Sequence, residues 1–183
     1  IGSSLVGSEM CIRDREYDIN QREILIEEKC LELLALHQPV AVDLRRVTAA
    51  LKINEELERI ADLAVNIAER TQSLAALPSF PIPELVDTMS RLSSQMLQEA
   101  LDAFVNQDVD LARSVCLKDD VVDDYNRQLI NELRIIMCER SEAVEPALHV
   151  FSVSRQIERI ADHATNIAED VIYLVDGEIT RHR

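Results

Sequence analysis

The segment Glu58–Arg70, ERIADLAVNIAER, returns one hundred residues later as Glu158–Asp170, ERIADHATNIAED, with ten of thirteen positions identical. A duplication of that quality means that two stretches of the chain fold as copies of one unit. Upstream, Ile19, Ile26 and Cys30 correspond to Val122, Leu129 and Leu133 at a spacing of 103, so the second copy has a connection three residues shorter. Any fold for this chain must therefore accommodate two related helical units.

The units are helical by composition as well as by period. Of the three glycines, only Gly177 lies in the body of the chain, there is no Trp, and aromatics are 3% of residues. Tight turns and β-rich packing need more glycine and more aromatic and β-branched runs than this. Ala, Leu, Ile, Glu and Arg dominate, which is helix composition. Hydrophobic residues at 47% suffice for a core. The predicted class is all-α.

Proline sets the boundaries. Helical spacing runs from Glu16 to His37 and stops at Pro39, and a second helix is expected from Val42 to Ala76. Leu77–Pro83, with three prolines, is the linker. Further helices are expected over Glu84–Val105 and Leu111–Glu139, and Pro146 suits the first turn of a last helix ending before Gly177. The organisation is then a first repeat over 16–76 and a second over 84–183. The second has one more helix than the first, so two three-helix units are inferred, with the first helix of the first unit missing or replaced. Residues 1–15 are expected to be non-native: GSSLVGSEMCIRDR has no helical period and resembles a read-through peptide. Without its third helix, the first unit should expose an apolar stripe.

On a helical wheel at about 100° per residue, Ile53, Leu57, Ile60, Ala64 and Ile67 share one face, while Glu58, Asp62, Asn66 and Glu69 share the opposite one. The last helix repeats this, with Val153, Ile157, Ile160, Ala164 and Ile167 set against Glu158, Asp162, Asn166 and Glu169. Each ladder is either a solvated helix face, partly offset by Arg59 and Arg159, or an outward site for a hard cation such as Mg²⁺, Mn²⁺ or Fe. The copies differ at 63/163, 65/165 and 70/170 and keep every oxygen donor. A second acidic set is expected near the start of the preceding helix. There Asp119 and Asp123 are candidates to share a site with Glu158 and Asp162, although Asp119 and Asp120 suit helix capping equally. Glu16 with Asn20 is the first-half equivalent. Asp43 suits a helix cap.

The four cysteines form no CxxC pair and no His-paired spacing and read as buried thiols of a reduced cytosolic protein. The four histidines are scattered; His163 adjoins the acidic ladder and reads as solvated rather than as a ligand. No Gly-rich phosphate loop, GxSxG, HExxH or Ser-His-Asp arrangement is present, so no enzyme is expected. A net charge of −15 opposes nucleic acid as a partner. No apolar run approaches the roughly 18 residues of a membrane span.

Taken together, Glu27–Cys30, Gln38-Pro39 followed by Asp43-Leu-Arg45, Glu58–Asp62, Asn106–Asp108, Asp119 with Val122-Asp123, and Glu158–Ile167 resemble the PhoU family from Glu16 to about His182. The resemblance implies two tandem three-helix bundles that often dimerise. It also implies a cytoplasmic negative regulator that links the ATPase subunit of a phosphate ABC transporter to a phosphate-sensing histidine kinase. Members of the family bind iron or other divalent metals through E/DxxxD motifs, which here fall on Glu58/Asp62, Glu158/Asp162 and Asp119/Asp123, with Glu16/Asn20 departing from the pattern. The competing expectation is a metal-dependent redox or storage bundle of the ferritin-like class, which requires inward carboxylates and ExxH pairs.

Overall fold

In a computed structural model the chain forms five long helices, with backbone described for residues 2–177 and side chains for residues 16–177. The helices are α1 (Gly2–His37), α2 (Val42–Ala75), α3 (Glu84–Asn106), α4 (Val109–Glu139) and α5 (Val144–Asp176), with a single 3-10 turn at Ser141–Ala143 before α5. No strand occurs among the described residues. Every expected helix is present, with ends close to those the prolines and turn residues indicate.

The beginning of α1 differs from the expectation. The helix continues from Gly2 through the segment expected to be aperiodic. Absence of an apolar period removes a reason for that stretch to pack, but it contains no proline to stop a helix that extends from Glu16 onward. The side chains of residues 1–15, and with them Cys11 and the expected non-native character of the segment, lie outside the described residues.

α3, α4 and α5 pack against one another as a three-helix bundle. Its centre is built from Met89 and Met96 of α3, Val115, Val122 and Leu129 of α4, and Val150, Ile167 and Val171 of α5, all closed to solvent. α2 lies against α5, adding Ile53 and Ile60 to that core, and α1 packs on α2 alone among the described elements. α2 and α5 run antiparallel: Arg45 Nε donates to the Leu174 carbonyl at 3.3 Å, Lys52 meets Asp170, and Glu56 meets His163.

Positions that α3 covers in the second unit are open in the first among the described residues. Val122 and Leu129 are 0% exposed under α3, while their repeat equivalents on α1, Ile19 and Ile26, are 37% and 41% exposed. Equivalent positions are thus covered in one unit and open in the other.

Turns are closed by specific backbone. Gln107 takes a left-handed conformation at the end of α3 (φ 54°), and Asp108 caps α4 by accepting from Leu111 N at 3.0 Å. Between α1 and α2, Ala41 sits at φ 50°, ψ −115°, with Asp43 N bonded to the Val40 carbonyl at 3.2 Å. That geometry matches the first central position of a type II′ turn, which ordinarily takes glycine. Asp43 was expected to cap α2. Ala41 holds the cap position without a side-chain bond, and Asp43 lies in the first turn, 3.4 Å from Arg46.

Candidate functional site

The two ladders lie on α2 and α5 as the wheel predicts, but they are less outward than expected. Asn66, Glu69, Asp162 and Asn166 are exposed, whereas Glu58, Asp62, Glu158 and Glu169 are only partly so. The Glu158 side chain is just 13% exposed. The reason is the neighbouring helix. α4 brings Asp123 alongside Glu158 and Asp162, and α1 brings Glu23 alongside Glu58, so each ladder forms one wall of a helix–helix groove.

In the second unit, burial pushes the Glu158 carboxyl above its ordinary value. Arg155, 2.6 Å away, pulls it back, and the charges of Asp162 and Asp123 push it up further. Asp162 is raised by its packed surroundings and by Asp123, against the pull of His163, Arg155 and Arg159. Glu158 Oε2 is buried without a hydrogen-bond partner. A carboxylate oxygen in that condition is stabilised by a proton or a cation.

In the first unit, burial and the Asp62 charge raise Glu58, Arg59 at 3.5 Å lowers it, and Glu23 and Glu55 raise it further. Between α1 and α2 is a groove of about 460 Å³ that Glu23, Glu27, Glu55 and Glu58 line together with Lys52 and Arg59. Glu55 stands where the second unit has Arg155, and Glu23 where it has Asn126. The first-unit groove is therefore the more acidic. Glu16 is the α1 partner that the repeat predicts, but the α1 charge that reaches Glu58 is Glu23, at a position where the copies differ in residue type. Glu16 is partly exposed on α1, beside Asn20, whose Oδ1 is buried without a partner.

Asp119 and Asp120 are not at a helix start. α4 begins at Val109, which puts both in its third turn, and the capping carboxylate is Asp108. The capping alternative for Asp119 is thereby removed. Asp119 and Asp123 face α5 in part, while Asp120 is exposed. Among the described residues, no three His, Cys, Asp or Glu side chains converge as a ready-made metal-ligand set. The oxygen donors are of the hard type that divalent cations prefer, yet Arg155 occupies the position beside Glu158 that a cation would take.

His163 is not solvated. It is partly buried between the repeats, with Nδ1 against the Glu56 carboxylate, which Asn166 Nδ2 approaches at 3.3 Å. Lys52 Nζ and Asp170 Oδ1 are 2.6 Å apart one turn further along. His163 and Asp170 occupy two of the three positions at which the duplicated segments differ. The divergence builds the seam between the copies, and the identity builds the grooves. Cys30 and Cys116 are buried as expected, the Cys116 thiol pushed up to about 11 by burial and by Glu169, but Cys138, near the end of α4, is exposed, contrary to the expectation. No helix among the described residues is long and apolar enough to cross a membrane.

Comparison with known proteins adds an independent line. The profile of the PhoU domain matches residues 10–71 and 86–171. A phosphate-specific transport system accessory protein PhoU homolog of Pseudomonas aeruginosa is 41% identical over 172 residues, covering 93% of this chain and 71% of that protein. A homolog of the same description from Aquifex aeolicus is 41% identical over 165 residues, covering 90% and 75%. The crystal structure of PhoU from Pseudomonas aeruginosa superposes with a TM-score of 0.90 at 40% identity, covering 94% of this chain and 83% of that one. The phosphate transport system regulatory protein PhoU from Streptococcus pneumoniae gives 0.87 at 29% identity, covering 99% and 87%.

Proposed function

The chain belongs to the PhoU family, and from that premise we propose that it is a cytoplasmic accessory protein of phosphate-specific transport, coupling the transporter's ATPase subunit to a phosphate-sensing histidine kinase and damping the starvation response when phosphate is plentiful. The observation that carries the reading is the match of both repeats to one family at about 40% identity over most of the chain. The structure suits an interaction protein rather than an enzyme. Its grooves are lined by carboxylates with arginine and lysine counter-ions, and the sequence supplies no nucleophile–base arrangement for catalysis. Two-repeat architecture offers two related but unequal faces, which fits a protein that meets two different partners. The test is capture by the purified ATPase subunit of a PhoU-linked phosphate transporter. Stable co-elution supports the adaptor role, and no association at micromolar concentrations of both proteins would remove it.

A second reading, favoured by the orphaned Glu158 Oε2, is that Glu158 and Asp162 with Asp119 and Asp123 hold a divalent cation of the Fe, Mn or Mg type once Arg155 moves aside, with Glu58, Asp62 and Glu16 as the first-unit counterpart. The ion would supply positive charge to crowded carboxylates, stiffening the groove without entering any reaction. Elemental analysis of protein purified without chelators decides it. Metal lost in Asp162→Ala supports the site, and equal content in parent, Asp62→Ala and Asp162→Ala would discard it. The ferritin-like redox alternative has no ExxH pair to build on.

A further inference from the structure

We infer that Asn126 supplies a neutral amide oxygen to a hard divalent cation held between α4 and α5, an inference that rests on the cation reading of that groove and adds to it a residue outside both acidic motifs. Asn126 is 3% exposed, and its Oδ1 is buried without a hydrogen-bond partner. On α4 it follows Asp119 by seven residues and Asp123 by three, so the three side chains leave the helix within about 60° of one another. α4 and α5 run antiparallel: Arg113 Nη2 meets Asp176 at 3.2 Å, and ten residues on, Asp123 sets its charge against Glu158 and Asp162. One further turn along α4 brings Asn126 level with Glu158, whose Oε2 is likewise buried without a partner. The duplication repeats the relation. Glu23, the counterpart of Asn126 at the spacing of 103, is the α1 residue whose charge reaches Glu58.

Two buried acceptor oxygens without a donor leave an unmet demand for positive charge. Arg155 does not meet it, because its guanidinium bonds Glu158 through Oε1. A cation lodged between Glu158 Oε2 and Asn126 Oδ1 does. Amide oxygens join carboxylates around ions of the calcium and magnesium type, whereas softer metals draw on imidazole or thiolate. His163, the imidazole beside Asp162 in the sequence, is turned instead to Glu56 on α2. Because the amide is neutral, Asn126 adds a ligand without adding to the repulsion among Glu158, Asp162 and Asp123. Glu23 in the first unit adds a charge where Asn126 adds none, so the two grooves differ in charge at this equivalent position.

The probe is Mn²⁺, titrated into the full chain and followed by the electron paramagnetic resonance of the free ion, with thermal midpoints taken in EDTA and in excess Mn²⁺. Asn126→Leu should bind Mn²⁺ at least about tenfold more weakly than the parent. Asn126→Asp, which keeps an oxygen at that point, should bind no more weakly than the parent. In EDTA, Asn126→Leu should melt no lower than the parent, because the oxygen it removes has no partner to lose. The rise in midpoint that excess Mn²⁺ gives the parent should shrink in that variant. Binding by Asn126→Leu within about twofold of the parent overturns the inference. So does a loss of stability in EDTA as large as the loss in Mn²⁺, which would make Asn126 a packing residue. Asp162→Ala is run in parallel: Mn²⁺ lost there but kept in Asn126→Leu removes only the Asn126 assignment, and Mn²⁺ kept in both removes the cation reading itself.

Discussion

Lys52 Nζ on α2 lies 2.6 Å from Asp170 Oδ1 on α5, joining the two repeats through residues that are not equivalent in the duplication. The counterpart of Lys52 is Ser152 and that of Asp170 is Arg70, so this bond exists once and has no symmetry mate. With Glu56 against His163 and Arg45 on the Leu174 carbonyl, it fixes which face of α2 meets α5. The two partners are unequally buried: the Lys52 side chain is 54% exposed and that of Asp170 15%. Lys52→Ala strands a half-buried carboxylate and should cost about 1–2 kcal/mol. Asp170→Asn leaves an ammonium that rehydrates and should cost under about 1 kcal/mol. Urea unfolding midpoints of the two variants measure the asymmetry, and equal costs would mean that the pair does not organise the seam.

The open face of the first unit predicts unequal costs for equivalent substitutions. Leu129→Ala opens a cavity in a closed core and should cost about 2–5 kcal/mol, while Ile26→Ala, at the matching position of α1, should cost under about 1 kcal/mol. The same urea assay checks this. Comparable losses would show that α1 is covered in solution.

Ala41 adopts a backbone conformation that suits glycine (φ 50°, ψ −115°). Ala41→Gly should therefore stabilise the chain by about 1 kcal/mol, because relief of the Cβ clash exceeds the added freedom of the unfolded chain. A rise in thermal midpoint is the expected result. A fall would mean that solution backbone at the α1–α2 turn differs from this geometry.

The raised carboxyls set a pH dependence. Burial first, and neighbouring acidic charge after it, lift Glu58, Glu158 and Asp162 above their ordinary values. An acid raised in the folded state contributes stability that is fully present below its unfolded value and is lost as pH rises through its folded value. Acidification toward their ordinary values of 4.5 for Glu and 3.8 for Asp should thus raise the thermal midpoint. Glu158→Gln/Asp162→Asn should flatten that slope and melt no lower than the parent at pH 7. An unchanged slope would place the pH response elsewhere in the chain's acidic surface.

Much of this architecture was legible beforehand because period and punctuation act locally. Pro39, the proline cluster at 78–83 and Gly177 end helices wherever the chain goes, and the duplicated ERIAD segments declare their inner faces by spacing. Gly177, at φ 71°, closes α5 as a left-handed cap. What spacing does not carry is the neighbour. Glu58 and Glu158 sit opposite the core on their own helices yet are partly covered because α1 and α4 flank them, and that depends on how helices pack. His163 looked solvated for the same reason: its partner, Glu56, is 107 residues away. Asp119 lies well inside α4 whether the helix starts at Val109, as observed, or at Leu111, as expected, so spacing alone already argued against a capping role. The positions where two copies diverge are natural places for the copies to touch, as His163 and Asp170 do.

The proposed role of this PhoU-family chain is to restrain phosphate acquisition when phosphate is plentiful. The most direct measurement expresses it in a Pseudomonas aeruginosa strain lacking its own PhoU homolog and follows transcription of phosphate-uptake genes in phosphate-rich medium. Transcription falling back toward the wild-type level is the predicted result. Unrelieved expression, with the helical protein shown to be present at normal abundance, would contradict the claim.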